Sequence, residues 1–239
     1  EQWLGREILF HVNHINYKWG VTAQDLAVVT GVRFFEVWNG VESDNDPGDH
    51  VHPSTDEIWD LANALRLQQM AMPPLYGLAT DDTHDYHGER TRAVGGRAWV
   101  MVRAPFLTPE SLIRAMRAGA FYASTGIVLQ DIRFDGKRLS LEIEPAPGET
   151  FVTRFIGTRR GVALVHGEEG PPVGEILKQV SGNRPYYDLR GDEWYVRAVI
   201  ESDGAPEVPS AEYPYKRAWI QPVGWRRWIE PVSLPGNEE

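Results

Sequence analysis

The sequence predicts an α/β fold over residues 1–128, followed by an antiparallel β unit over residues 129–239. Three observations carry this expectation. Up to about residue 120, short apolar runs alternate with amphipathic segments of helical length, the pattern of βαβ units in a parallel sheet or barrel. Beyond Gly126 the runs shorten, take on period two and are punctuated by Gly and Pro. Asp135-Gly136 stands between two alternating runs in DIRFDGKRLSLEIEP, which signals a hairpin.

Each element follows in chain order. Residues 8–14 (ILFHVNH) read as the first strand. Thr22 is the N-cap of a short helix, TAQDLAVVTG, which ends at Gly31. Residues 33–38 (RFFEVW) form the next strand, and Ser54 or Thr55 caps a second helix, STDEIWDLANALRLQQM. Residues 75–80 (LYGLAT) and 98–102 (AWVMV) are further strands. Thr108-Pro109-Glu110 opens a third helix with Pro at its first position, and Gly119 ends it. FYASTG (121–126) is strand-like, and the domain boundary falls between Gly126 and Asp131. In the second part TFVTRFIGTRRGVALVHG, EWYVRAVIESDG and YKRAWIQPV are additional strands.

Composition excludes several function classes. The 239 residues carry 34 acids and 24 bases, a net charge of −10, which is the wrong sign for a general binder of nucleic-acid duplexes. There is no cysteine, so disulfide scaffolds, thiolate metal sites and cysteine nucleophiles are ruled out. No apolar run reaches the ~18 residues of a membrane span. The segment EQWLGREILFHVNH reads as the approach to a strand and not as a natural start, so residues upstream of Glu1 are expected. The compartment stays open: the cytoplasm is the default, and an extracytoplasmic location is the alternative, because the true N-terminus is expected upstream.

Every histidine except His166 lies before residue 130, so imidazole chemistry belongs to the first part. Asp82 and His84, in ATDDTHD at the end of a strand, are two residues apart and share a face of extended backbone. A carboxylate and an imidazole so placed make a corner for a metal ion, or else belong to a solvated turn. His14 ends the first strand at the same rim; it is a ligand candidate or a hydrogen-bonded buried histidine. His11, inside that strand, is the better candidate for the buried role. Asn16 and Asn39 also end strands and are candidates for orienting a substrate or a bound water. His87 follows His84 closely, and Tyr122, Ser124 and Thr125 are candidate substrate contacts. The loop from Glu42 to Asp60 is acidic without the ligand spacing of an EF-hand, and His50 and His52 read as loop residues. No GxSxG, Walker, GxGxxG or HExxH motif is present.

Taken in order, HVNHINYKWG, FFEVWNG, GDHVHPSTDEIWD, YGLATDDTHDY, WVMVRAPFLTPESLIRAMRAGAFYASTG and YVRAVI…RAWIQPV resemble the later portion of a PHP-domain (polymerase and histidinol phosphatase) metal-dependent hydrolase. The likeness is strongest to bacterial members with a trailing β unit, including a carbaryl-hydrolase-like group. It implies a distorted (β/α)7 barrel with metals at the C-terminal rim. It further implies that His14, Asp82 and His84 are metal ligands, with Asp82 and His84 catalytic. His14 resembles the histidine of the family's third motif, followed here by Ile15-Asn16 where the family has Pro-Asn. Asp82 and His84 resemble the terminal Asp-x-His. The family's opening His-x-His, its glutamate and a mid-domain histidine have no counterpart in this sequence.

In the complete family two or three divalent ions (manganese, zinc or iron) activate a water that attacks a phosphoester, or a carboxyl or carbamate ester. The resemblance therefore implies a small-molecule ester substrate, and a complementing chain or homo-oligomer if the site is shared. A different class stands beside it: a non-catalytic binding module whose β unit stacks Trp194, Trp219, Trp225 or Trp228 on a glycan or a protein.

Overall fold

Local sequence rules set the first elements of the computed structural model, which describes residues 7–87, 93–164, 170, 172–209 and 214–229. Strands β1 (His11–Val12), β2 (Phe34–Asn39) and β3 (Tyr76–Thr80) pair side by side in parallel. Helix α1 (Ala23–Val28) begins at Thr22, whose hydroxyl accepts from Asp25 N at 3.1 Å while the Asp25 carboxylate accepts from Thr22 N. Helix α2 (Thr55–Gln69) begins with the same reciprocal arrangement between Ser54 and Glu57. Arg66 of α2 is buried without an acid partner among the described residues. Its guanidinium caps the end of α1 by donating to the carbonyls of Ala27 and Val29. β2 is buried along its whole length, as a strand covered on both faces must be.

The chain then departs from the expected barrel. β4 (Trp99–Val102), α3 (Pro109–Arg117) and β5 (Phe121–Ser124) follow, but β5 runs antiparallel to β4. A parallel crossover needs its helix packed on the sheet face. α3 fully buries only Ala115 and serves as a surface connector. Gly119 then reverses the chain at φ 78°, in a place where a Cβ would lie 2.9 Å from the ring of Tyr76.

The remaining strands are β6 (Leu129–Phe134), β7 (Arg138–Ile143), β8 (Phe151–Arg159), β9 (Glu175–Ser181), β10 (Tyr186–Asp188), β11 (Glu193–Ser202) and β12 (Arg217–Val223). They build two antiparallel sheets, in the orders β4-β5-β12-β11-β8-β9 and β10-β7-β6. The (β/α)7 barrel expectation is therefore corrected: among the described residues the parallel sheet stops at three strands, and antiparallel sheets dominate. The larger of them runs across residue 128, taking β4 and β5 from one side and four strands from the other.

The six-stranded sheet is the middle layer, and period-two alternation tells its faces apart. Val196, Ala198 and Ile200 of β11, with Ala218 and Ile220 of β12, point into one core against Leu139, Leu141 and Tyr187 of the three-stranded sheet. Val199, Trp219 and Ile156 point the other way, into a core with Ile58, Trp59 and Leu65 of α2 and Phe35 and Val37 of β2. Gln221 of β12 joins the middle layer to the parallel sheet. Its amide donates to Gly77 O at 2.8 Å and accepts from Gly77 N at 2.9 Å, standing in for a neighbouring strand. No helix among the described residues is long and apolar enough to cross a membrane.

Candidate functional site

The C-terminal ends of β1, β2 and β3 meet at one rim, and Glu36 ties them together. This glutamate is buried inside the apolar run FFEVW. Its Oε2 accepts from His14 N at 2.5 Å and from Asn39 Nδ2 at 3.0 Å, and its Oε1 accepts from the Thr80 hydroxyl at 2.9 Å. One carboxylate thus fixes the segment after β1, the end of β2 and the end of β3.

Asp44 lies beside this anchor and is 3% exposed, yet its Oδ2 has no hydrogen-bond partner. Burial pushes its carboxyl up to about 6; Asp82 and Glu36 add to the rise, and His14 opposes it. His14, Glu36, Asp44 and Asp82 therefore share one electrostatic neighbourhood in which negative charge exceeds positive. Two of its members hold backbone conformations that side chains rarely adopt, His14 at φ 31° and Asp82 at φ 49°. Asp81, next to Asp82, is fixed by three backbone donors, Gly96 N, Arg97 N and Ala98 N.

His84 is exposed and leans on Asp82. Its Nδ1 lies 2.6 Å from Asp82 O, a contact in which Nδ1 must carry the proton because a carbonyl oxygen only accepts. The same Nδ1 is 3.9 Å from Asp82 Oδ1. Asp82 thus touches His84 on one side and faces the Asp44 neighbourhood on the other. Even so, no three His, Asp or Glu side chains among the described residues stand close enough together to hold a metal ion. The donor set fits a divalent cation in chemistry, being oxygen and neutral nitrogen with one orphaned buried carboxylate oxygen. In spacing it supplies part of a coordination shell.

The other sequence candidates fall elsewhere or take structural roles. Asn16 is buried and donates to Asn45 O and Pro53 O, stitching two loops. Asn39 lies at the rim; its backbone N–H donates to Asp46 Oδ2 and its side chain accepts from Val41 N. His87 is exposed, and no hydrogen bond, ion pair or ring contact joins it to the rim among the described residues. Tyr122 does not face the rim: it lies in the core between the two antiparallel sheets, where its hydroxyl accepts from Leu129 N at 2.9 Å. Ser124 and Thr125 are buried and bond to the backbone of Ile127 and Arg217. His11 is exposed and not buried as expected, and His52 is stacked on Trp19 with Asp49 at its Nδ1. Glu36 and Asp44 were not singled out from sequence. The available signal for Glu36 was a lone acid in an otherwise apolar strand.

A groove of about 990 Å³ runs between α2 and the face of β8, β11 and β12. Its charges pair with one another. Arg197 is held by Asp60 through two bonds of 2.8 and 2.7 Å and lies 2.8 Å from Asp56 Oδ1, while Glu201 accepts from both Arg154 and Arg217. No known protein family, curated protein or solved structure matches the chain.

Proposed function

We propose that the chain is a metal-dependent hydrolase of the PHP type, acting on phosphoesters, with its centre at the rim where β1, β2 and β3 end. The observation that carries this reading is the buried, unpartnered Oδ2 of Asp44 set among Glu36, Asp82 and His14. A carboxylate withdrawn from water without a donor is costly, and a cation is the partner that would relieve it.

With His14, Asp82 and His84, the ligands that the resemblance implies, the rim would offer an ion only part of a coordination shell, and the donor types suit manganese, zinc or iron. When bound, such an ion acidifies a water and offsets charge growing on a phosphoryl or acyl oxygen. The chain's own residues do the rest. Glu36 holds the His14 backbone in place, the Nδ1–H bond to Asp82 O orients His84, and Asp44 supplies fixed negative charge. Carboxyl or carbamate esters are the alternative substrates under the same arrangement.

Binding is the decisive readout, because the further ligands the family resemblance implies are not in this sequence. Titration with Mn2+ or Zn2+ is expected to stabilise the chain by about 2.7 kcal/mol at a hundredfold excess over Kd. Asp82→Ala should abolish that gain. Equal unfolding midpoints in EDTA and in saturating Mn2+ and Zn2+ would refute the reading.

A further inference from the structure

The four tryptophans towards the C-terminus are not equivalent. Trp194 donates its indole N–H to Gln68 Oε1 at 3.3 Å, Trp219 to Asp56 Oδ2 at 3.2 Å and Trp228 to Glu193 O at 2.8 Å. Trp225 has no acceptor among the described residues although only 8% of it is exposed. The Trp225 indole N–H is not among the side-chain donors wholly withdrawn from solvent, so a bound molecule can reach it.

Trp225 forms part of the wall of a pocket of about 370 Å³, together with Tyr76, Phe134, Gly224, Arg226 and Arg227. That volume lies in the usual range of small-molecule sites. Two arginines line the pocket, and no carboxylate does. A third guanidinium, that of Arg33, packs behind it, with Cζ 4.8 Å from the ring centroid of Tyr76 and 5.6 Å from that of Trp225. Arg33 Nη2 is buried and unpartnered among the described residues, while Nε donates to Pro74 O. Arg226 rests over Trp225 at 4.8 Å and makes no hydrogen bond or ion pair among the described residues. Arg227 donates only to Gly224 O.

Among the described residues, three neighbouring guanidinium groups therefore have no carboxylate partner. Burial draws Arg33 below the ordinary arginine value; Tyr76 opposes the fall, and the charge of Arg226 adds slightly to it. The turn that sets this wall depends on Gly224, at φ 82°, where a Cβ would stand 2.8 Å from Leu189 Cδ2. The pocket's charged side chains are the guanidinium groups of Arg226 and Arg227, and Tyr76, Phe134 and Trp225 supply aromatic wall.

We infer that this pocket binds a small anion borne on a flat apolar body, its oxyanion held by Arg226, Arg227 and the Trp225 indole N–H. Guanidinium forks match the geometry of carboxylate and phosphate oxygens. Tyr76 opens β3 and Thr80 closes it, so the pocket lies at the opposite end of the parallel sheet from the rim. The inference does not depend on the metal reading.

The test titrates the full chain with phenyl phosphate in EDTA, followed by calorimetry and by the indole N–H resonances. The resonance that Trp225→Phe removes is expected to shift on titration. Arg226→Ala, at an exposed residue, should weaken binding at least tenfold without changing the unfolding midpoint. Benzoate binding with the same pattern would support a carboxylate headgroup as well. The inference is overturned if the Trp225 resonance stays fixed, or if Arg226→Ala binds as tightly as the parent. It also fails if inorganic phosphate or uncharged phenol binds as tightly as phenyl phosphate.

Discussion

Asp44 and Asp60 are equally buried, at 3% and 4% exposure, and have opposite surroundings. Asp60 projects from α2 onto β11. It accepts from Arg197 Nε and Nη2 and, at 2.6 Å, from the Tyr195 hydroxyl. Burial alone would pull the Arg197 guanidinium down, but Asp60 and Asp56 hold it above its ordinary value. Asp44 has one oxygen with no donor at all, and its neighbours Glu36 and Asp82 are acids. Burial therefore does not separate a structural acid from a functional one; the inventory of partners does. A satisfied pair fixes α2 to the middle sheet. An unsatisfied acid marks a place where the fold tolerates a cost that a ligand could remove.

The largest expected effect tests the satisfied side. Asp60→Ala leaves Arg197, 1% exposed, with the off-axis contact to the Asp56 carboxylate and a long bond of 3.5 Å to Asp56 O. Breaking a buried pair by removing one partner costs about 3–5 kcal/mol. Urea denaturation should show that loss as a lower midpoint. A cost below about 1 kcal/mol would mean that the network is dispensable, and the contrast with Asp44 would dissolve.

Asp44→Asn tests the unsatisfied side, with the opposite sign. The folded carboxyl titrates near 6, above its ordinary value of 3.8, so the folded state binds the proton more tightly than the unfolded chain does. Stability from this group is complete below the unfolded value and is lost as pH rises through the folded one. In EDTA the variant should match the parent near pH 3.5 and exceed it at pH 8 by up to about 3 kcal/mol. If the rim binds a cation, saturating Mn2+ should shrink or reverse that advantage, because the parent alone keeps the Asp44 charge. A variant less stable than the parent at pH 8 in EDTA would show that Asp44 is satisfied after all.

The comparison also shows what the sequence could and could not disclose. Caps were legible because they are local: Thr22 with Asp25, Ser54 with Glu57 and Pro109 after Thr108 each act within one turn. The hairpin around Asp135-Gly136 was legible for the same reason, and Phe134 pairs with Leu139 across it. The barrel expectation failed on contacts that no local pattern encodes. β5 pairs Ser124 with Ala218 of β12, a partner far along the chain, and α3 keeps the rhythm of a crossover helix without burying its face. β9 and β10 were not anticipated. Tyr122 was a candidate substrate contact, and its side chain lies in the core between the antiparallel sheets; sequence alone does not disclose which face of a strand is covered. At the rim, chain order brought His14, Asp82 and His84 to notice. Asp44 was lost among its acidic neighbours, since only packing tells a buried acid from a solvated one.

The smallest expected effect separates the helix from the charges it carries. Ser54 caps α2 two residues before Asp56 and six before Asp60, and Glu57 answers from N3. Removing the cap hydroxyl in Ser54→Ala should cost about 1 kcal/mol, while Ser54→Gly should cost a few tenths. Neither change touches Arg197 or Asp44. The Asp60→Ala penalty measured on the Ser54→Ala background should thus add to within about 0.5 kcal/mol. A coupling of more than about 1 kcal/mol, read from the double-mutant cycle, would mean that the capping box aims Asp56 and Asp60 at the sheet. The buried ion network would then be a property of where the helix starts and not of the side chains alone.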